Sequence, residues 1–361
     1  VTDATPGLAP VREADQLDWR RIAAYLGAHL PSLVDAPLQD VQQFTNGSAN
    51  LTYLLRFGDR AVVLRRPPSG TIAPGAHDMK REWRVLSRLW RRFDRAPRAH
   101  LFCDDHTIAG ADFFVMEHRP GLVIRGEIPA AMAGHADVAR RASFALVDAM
   151  AELHRLDPER AELGDIGKPA GFVARQVSGW RRRWELAEGR SRPDVRGAMA
   201  AIGARLERAI PVPQRTSIVH NDLKLDNCAF DPADPDRVSA IFDWDMTTLG
   251  DPLVDLGTLL NYWPDPADPP DASRGSHDGM RRMGLPTRAE ITARYVAATG
   301  LDPAPLRWYE AFARWKTAVV VQQLHNRWLE GASADPRHER IADSVPALVA
   351  SAAALLGEAR L

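Results

Sequence analysis

Two short apolar runs, each ending in acidic and amide side chains, constrain this chain more than any other feature. Ser217-Ile218-Val219 leads directly into His220-Asn221-Asp222-Leu223-Lys224-Leu225-Asp226-Asn227. A second run, Ala240-Ile241-Phe242, ends in Asp243-Trp244-Asp245. Runs this short and β-rich predict strands. Two strand ends would then deliver Asp222, Asn227 and Asp243 to one loop cluster. Phosphoryl transfer needs a carboxylate to accept the proton of the incoming hydroxyl, and Asp222 fits. It also needs hard oxygen donors for the Mg²⁺ that bridges the phosphates, and Asn227 and Asp243 supply them. His220 would hold the loop by hydrogen bonds rather than react. Two other readings of the same residues stay open. One is a metal-dependent hydrolase with His220, Asp222, Asp243 and Asp245 as ligands. The other is a solvated Asp/Asn-rich turn.

The rest of the chain reads as a small α+β lobe followed by a larger helical lobe. Residues 1–14 read as a flexible tail, and a helical stripe runs from about 16 to 30. Strand signals follow at 38–44, 51–57 and 61–66, broken by Asn46-Gly47-Ser48 and Gly58-Asp59. A helix is expected near 77–91, with strands near 99–104 and 112–118. From 136 onward helical spacing dominates, interrupted by the strand island at 217–243. The expected division is a nucleotide-binding lobe at 15–118 and a lobe at 119–361 carrying the catalytic loop, magnesium site and substrate helices.

Charge and composition narrow the function. The 361 residues carry 46 Lys+Arg against 47 Asp+Glu, a net charge of -1, which argues against a nucleic-acid partner held by bulk charge. No segment approaches the ~20 apolar residues of a membrane helix, and the N-terminus has no signal-peptide pattern. Two cysteines, Cys103 and Cys228, make no disulfide framework, so a reduced cytoplasmic protein is expected. Only four lysines, Lys80, Lys168, Lys224 and Lys316, stand among the 46 basic residues. That bias and Val1 fit a GC-rich bacterial source with an alternative start codon.

Several stretches together carry a family resemblance. They include 43–55 (QFTNGSANLTYLL), 62–70 (VVLRRPPSG), 113–121 (FFVMEHRPG), 171–184 (GFVARQVSGWRRRW), 218–227 (IVHNDLKLDN) and 241–257 (IFDWDMTTLGDPLVDLG). The chain resembles the aminoglycoside phosphotransferase superfamily, of bilobal protein-kinase-like α+β fold. Within it, the chain is similar to the branch containing the kinase-like domain fused to acyl-CoA dehydrogenase family members 10 and 11. The resemblance implies ATP and Mg²⁺ as cofactors and a hydroxylated small molecule as acceptor. It also suggests enzymes of an acyl-CoA dehydrogenase pathway as partners.

The resemblance adds roles in the first lobe. Asn46, Gly47, Ser48, Ala49 and Asn50 resemble the nucleotide loop, where small residues let backbone N–H groups approach phosphates. Arg65 stands where kinases usually carry a strand lysine, and it still offers a charged fork for phosphate. Glu82 is its candidate ion-pair partner. Arg66 rivals Arg65, because strand alternation turns one of them inward. Glu117 and Arg119 resemble the hinge that pairs with the adenine edge. Asn221 replaces the usual Gly and tolerates unusual backbone angles. Asp245 either binds a second Mg²⁺ through water or is structural. Asp251 either braces the catalytic loop or caps a helix.

For the acceptor, 173–206 holds eight arginines against Glu185, Glu188 and Asp194. Trp180, Arg181 and Arg183, with Asp245, are the candidate substrate residues. A basic aromatic face suits an anionic group, while a solvated amphipathic helix is the bland alternative. The branch implies a hydroxyacyl-CoA or hydroxy acid. An aminoglycoside or amino-alcohol kinase, and a non-catalytic nucleotide-binding module, are the alternatives.

Overall fold

A computed structural model describes residues 7–45, 50–68, 78–268, 278–333 and 335–357. The chain divides into two compact units. The first comprises Val1–Val123, Pro158–Ile166 and Asn227–Thr247; the second comprises Ile124–Asp157, Gly167–Asp226 and Thr248–Leu361.

The first unit contains β1 (Leu8–Pro10), α1 (Trp19–His29), β2 (Leu38–Phe44), β3 (Leu51–Phe57), β4 (Arg60–Arg66) and α2 (Met79–Leu89). After them come β5 (Ala99–Cys103), a short helix α3 (His106–Ala109), β6 (Phe113–Glu117) and β7 (Leu122–Val123). Six strands form an antiparallel sheet in the order β1-β2-β3-β4-β6-β5. Its core is built by alternating residues such as Tyr53, Leu55, Leu64, Phe113 and Val115, against Ile22 and Leu26 of α1.

Two expectations are corrected. Residues 8–10 are not a flexible tail but an edge strand, with Leu8 opposite Phe44. Polar contacts tie the following residues down: Arg12 N donates to Gln43 Oε1 at 3.0 Å, Gln43 Nε2 to Asp15 Oδ2 at 2.9 Å, and Tyr53 OH to Asp15 O at 2.9 Å. Nor does a single boundary at 118/119 divide the chain. The hairpin of β9 (Cys228–Asp231) and β10 (Asp234–Ile241) belongs to the first unit. Its β9 pairs with β7, Leu122 opposite Phe230.

The second unit is mainly helical. It contains α4 (Val138–Arg155), α5 (Phe172–Ala187), α6 (Pro193–Arg208), β8 (Ser217–Val219), β11 (Thr248–Gly250), α7 (Leu253–Tyr262), α8 (Arg288–Thr299), α9 (Leu306–Leu329) and α10 (Val345–Leu355). The helix α8 opens on a capping box between Thr287 and Glu290 and closes on Gly300 at φ 71°. The helix α7 is buried along nearly its whole length, which places Asp255 in a dry interior. The two-stranded pairing of β8 with β11 fixes where the 220–227 loop leaves the core. Among the described residues, no helix is long and apolar enough to cross a membrane.

Candidate functional site

In the first unit, Arg65 sits on β4 opposite Thr52 of β3 and Phe114 of β6. Arg65 and Arg66 are both buried, yet Arg65 is the one that meets the acidic groups. Its Nε lies 2.9 Å from Glu82 Oε2, and its Nη2 donates to Asp243 Oδ1 at 2.5 Å. The Glu82 contact is an ion pair whose N–H is not aligned on the oxygen. Glu82 reaches Arg65 because α2 turns Met79, Val85, Leu86 and Leu89 inward, and Glu82 falls in the same stripe at 1% exposure.

Asp243 and Asn227 leave the open end of one hairpin. Cys228 pairs with Ile241, and Phe242 N donates to Asn227 O at 2.9 Å. Asp243 then turns the chain with φ 68°, a left-handed conformation that Asp adopts more readily than bulkier residues. Trp244 anchors the turn: its Nε1 donates to Ile241 O at 2.7 Å, and its ring meets Phe93 edge-on. Burial pushes Glu82 up to about 7; Arg65 pulls against this, and Asp243 and Asp245 add to it. Burial opposes the charge on Arg65, but Glu82 and Asp243 outweigh it and hold the guanidinium protonated. The guanidinium meets two acidic groups, with Asp245 acting as a third at longer range, and these acidic surroundings suit a divalent cation. Among the described residues, no three His, Cys, Asp or Glu gather as a metal cage. Magnesium requires only one or two protein oxygens, with phosphate and water completing its shell, so Asn227 and Asp243 fit it.

The hinge candidates lie at the end of β6. Glu117 N already donates to Arg98 O at 2.9 Å, so an adenine contact from Glu117 must use its carbonyl. The side chains of Glu117 and Arg119 pair with each other at 2.9 Å. Asn46, Gly47, Ser48 and Ala49 lie outside the described residues. Asn50 is buried just before β3.

The second unit holds Asp222 and His220. Two strand-exit amides are pinned by one carboxylate: His220 N donates to Asp255 Oδ2 at 2.7 Å and Asn221 N to Asp255 Oδ1 at 2.6 Å. Asp255 also faces His154 Nε2 at 3.0 Å, and His154 Nδ1 lies 2.7 Å from Tyr295 OH. A carboxylate accepts only, so His154 donates from Nε2 to Asp255. Burial works against the Asp255 charge, but His154 and His220 outweigh it and hold the carboxyl below its usual range. Asn221 has φ 68°, the angle for which its type was expected to be tolerated. His220 is fully buried, and its Nδ1 accepts from Asp222 N at 3.3 Å.

Asp222 itself accepts from Lys224 Nζ at 3.0 Å. Burial alone would lower the Lys224 pKa; Asp222 and Asp226 raise it above the usual range. Asp251 accepts from Leu253 N at 2.9 Å and from Tyr309 OH at 2.8 Å, so it caps the start of α7. Bracing of the catalytic loop falls to Asp255. Sequence reasoning gave no role to His154, Tyr295, Lys224 or Lys316. The available signal was that two of only four lysines fall here.

Among the substrate candidates, Trp180 is buried on α5 with the Arg183 guanidinium 4.4 Å from its ring centroid. Arg181 is drawn into surface pairs with Glu207 at 2.5 Å and Glu185 at 3.7 Å, which answers its charge on the outer face of α5. Asp245 belongs to the first unit, where its charge bears on Arg65 and Glu82. Asp222 and Asp243 thus belong to different units, each placed by its own strand pairing.

The chain is similar to several known proteins. Acyl-CoA dehydrogenase family member 11 of Rattus norvegicus is 33% identical over 91% of this chain and 42% of its own length. Acyl-CoA dehydrogenase family member 10 of Mus musculus is 32% identical over 90% of this chain and 30% of its own. The chain thus spans well under half the length of these curated relatives. A solved structure from Ralstonia eutropha, classed among aminoglycoside phosphotransferases, superimposes with TM-score 0.76 at 27% identity, covering 96% of this chain and all of that one. Aminoglycoside phosphotransferase APH(4)-Ia shares the kinase-like fold at TM-score 0.58 and 15% identity, covering 92% of this chain and 98% of its own. The model of the phosphotransferase enzyme family APH matches residues 40–309, from the second strand of the sheet through Asp222, Asn227 and Asp243 into α9. The chain therefore belongs to that family of phosphotransferases, which act on hydroxyl groups.

Proposed function

We propose that the chain is a Mg-ATP-dependent O-phosphotransferase whose acceptor is a hydroxylated small molecule, a hydroxy acid or hydroxyacyl-CoA. The observation that carries this reading is Arg65 held between Glu82 and Asp243, which presets a guanidinium beside a candidate magnesium carboxylate. Asn227 and Asp243 would hold the ion, and Mg²⁺ when bound neutralises phosphate charge as the γ-phosphoryl group leaves. Arg65 and the 46–50 segment orient phosphate oxygens. The carbonyl of Glu117 and the backbone of Arg119 meet the adenine. Asp222 accepts the proton of the acceptor hydroxyl, while Asp255 fixes the loop that carries it. Asp245 stays structural, tuning the charge around Arg65.

The acyl acceptor is supported by similarity to two proteins named as acyl-CoA dehydrogenases and by the arginine-rich α5–α6 stretch. Enzymes of acyl-CoA oxidation are the proposed partners. A cytoplasmic setting agrees with Cys103 and Cys228, both buried thiols.

The test is ADP release from Mg-ATP by the wild type and its Asp222→Asn variant. Acceptors are 3- and 4-hydroxyacyl-CoAs, the free hydroxy acids, an aminoglycoside panel and choline. Release should require an acyl acceptor and magnesium, and Asp222→Asn should lower it at least ~10²-fold. Undiminished release in the variant removes Asp222 from the role of base. Release with aminoglycosides alone overturns the acyl acceptor.

A further inference from the structure

The second unit keeps two cations without a carboxylate close to the candidate base. Lys316 on α9 has its Nζ 5.5 Å from the ring centroid of Trp180, and Arg183 stacks on the same indole at 4.4 Å. Lys316 donates one hydrogen bond, to Asn221 O at 3.2 Å, which is the carbonyl preceding Asp222. Among the described residues, neither Lys316 nor Arg183 has a carboxylate within ion-pair reach. Three nearby arginines are paired with carboxylates instead: Arg181 with Glu207, Arg190 with Glu330 and Arg192 with Asp194.

Two like charges drawn to one ring without a counter-ion cost free energy, and a fold keeps such an arrangement where a ligand supplies the missing charge. Burial draws the Lys316 ammonium below its usual range; Asp222 and Asp255 oppose this, and Lys224 and Arg183 reinforce it. Lys316 is partly open to solvent and Arg183 is exposed, so a small molecule can reach both. The indole gives a flat apolar floor, Arg183 a planar fork and Lys316 a point charge with two further N–H donors.

We propose that Trp180, Arg183 and Lys316 form an anion site for the acceptor, so that the phosphorylated alcohol carries a carboxylate or phosphate close to its reacting hydroxyl. The site rests on the phosphotransferase reading only in calling its ligand an acceptor. Its charge disfavours a polycationic acceptor, which would place like charges together.

The test reads binding by calorimetry without nucleotide, so failure of the phosphotransfer reading leaves its result standing. The probes are 4-hydroxybutanoate against 4-hydroxybutanamide, and glycerol 3-phosphate against glycerol. At least one anion should bind ~10-fold or more tightly than its neutral counterpart, the scale of a charge-assisted hydrogen bond. The pair that shows the preference identifies carboxylate or phosphate. Lys316→Met and Arg183→Gln should each remove most of that preference, while Lys316→Arg should retain it. Equal binding of anion and neutral partner, no binding of any probe, or a preference surviving both substitutions overturns the proposal. If Lys316→Met does not fold, Arg183→Gln carries the test, since Arg183 lies on the exposed face of α5.

Discussion

Replacing Asp255 by Asn should loosen the loop that carries Asp222 without removing any atom of the proposed chemistry. Asp255 is fully buried and accepts from His220 N at 2.7 Å, Asn221 N at 2.6 Å and His154 Nε2 at 3.0 Å. Asparagine keeps one oxygen and turns an NH₂ toward donors that previously met a carboxylate. Each lost charge-assisted bond is worth about 1.5–3 kcal/mol, and an N–H left facing a donor costs about 1–3 kcal/mol. Together these give ~3–5 kcal/mol, the scale of breaking a buried charged contact. For a unit of this size the melting temperature should fall by roughly 6–20 °C. Differential scanning calorimetry at pH 7 measures it. The sign of the pH dependence is fixed by the depressed carboxyl. The stabilisation is complete above the unfolded value near ~4 and disappears as pH falls through the lower folded value. The gap between wild type and variant should therefore close on acidification. A variant that melts within 2 °C of wild type at pH 7 (about 1 kcal/mol or less) would falsify the assignment of Asp255 as the brace.

Substitutions at two more positions test the first unit and the loop conformation. Arg65→Met leaves Glu82 buried without its cation and should destabilise by ~3–5 kcal/mol; Arg65→Lys, keeping the charge, should cost less. Thermal melts and nucleotide binding by the two variants check this, and equal losses would show that charge is not what Arg65 contributes. Asn221→Gly should leave stability within ~1 kcal/mol of wild type, because φ 68° suits glycine, whereas Asn221→Val should lose ~1–3 kcal/mol. Urea unfolding of both variants decides, and a tolerated valine would contradict the backbone argument.

What was legible in the sequence was local. The runs at 38–44 and 51–57 are short and bounded by turn residues, enough to define β2 and β3, and Asp222, Asn227 and Asp243 stand in a fixed spacing after apolar runs. Glu82 was identified by resemblance, and the helical stripe explains its burial. Alternation made Arg65 and Arg66 rivals; burial of both meant that only the partner distances distinguished them. What was not legible came from contacts between distant segments. His154 is separated from Asp255 by 101 positions and from Tyr295 by 141, so no periodicity links them. The same holds for Lys316 and Asn221, 95 positions apart. The 1–14 segment misled because three residues of edge strand carry little pattern, and Gln43 and Tyr53, which hold the adjoining residues, lie far along the chain.

The choice between arginine and lysine has a geometric basis here. Arg65 touches two carboxylates at once, Nε toward Glu82 and Nη2 toward Asp243. A planar fork spans two such partners in one fixed geometry, which a single ammonium does less well. That accounts for arginine at a position where kinase-like strands usually carry lysine. Around the candidate base the requirement reverses. Lys224 meets Asp222 with one atom at 3.0 Å, and Lys316 meets Asn221 O with one atom at 3.2 Å. Both ammonium groups also lie over aromatic rings, Tyr262 at 5.2 Å and Trp180 at 5.5 Å. Each of these contacts needs only one compact donor. A chain that uses arginine almost everywhere else has kept two of its four lysines at this one loop. The arginine bias runs through the whole chain, but it does not place lysines. Their position follows if small, mobile donors are needed beside Asp222, which is also the condition for an anionic acceptor to be held there.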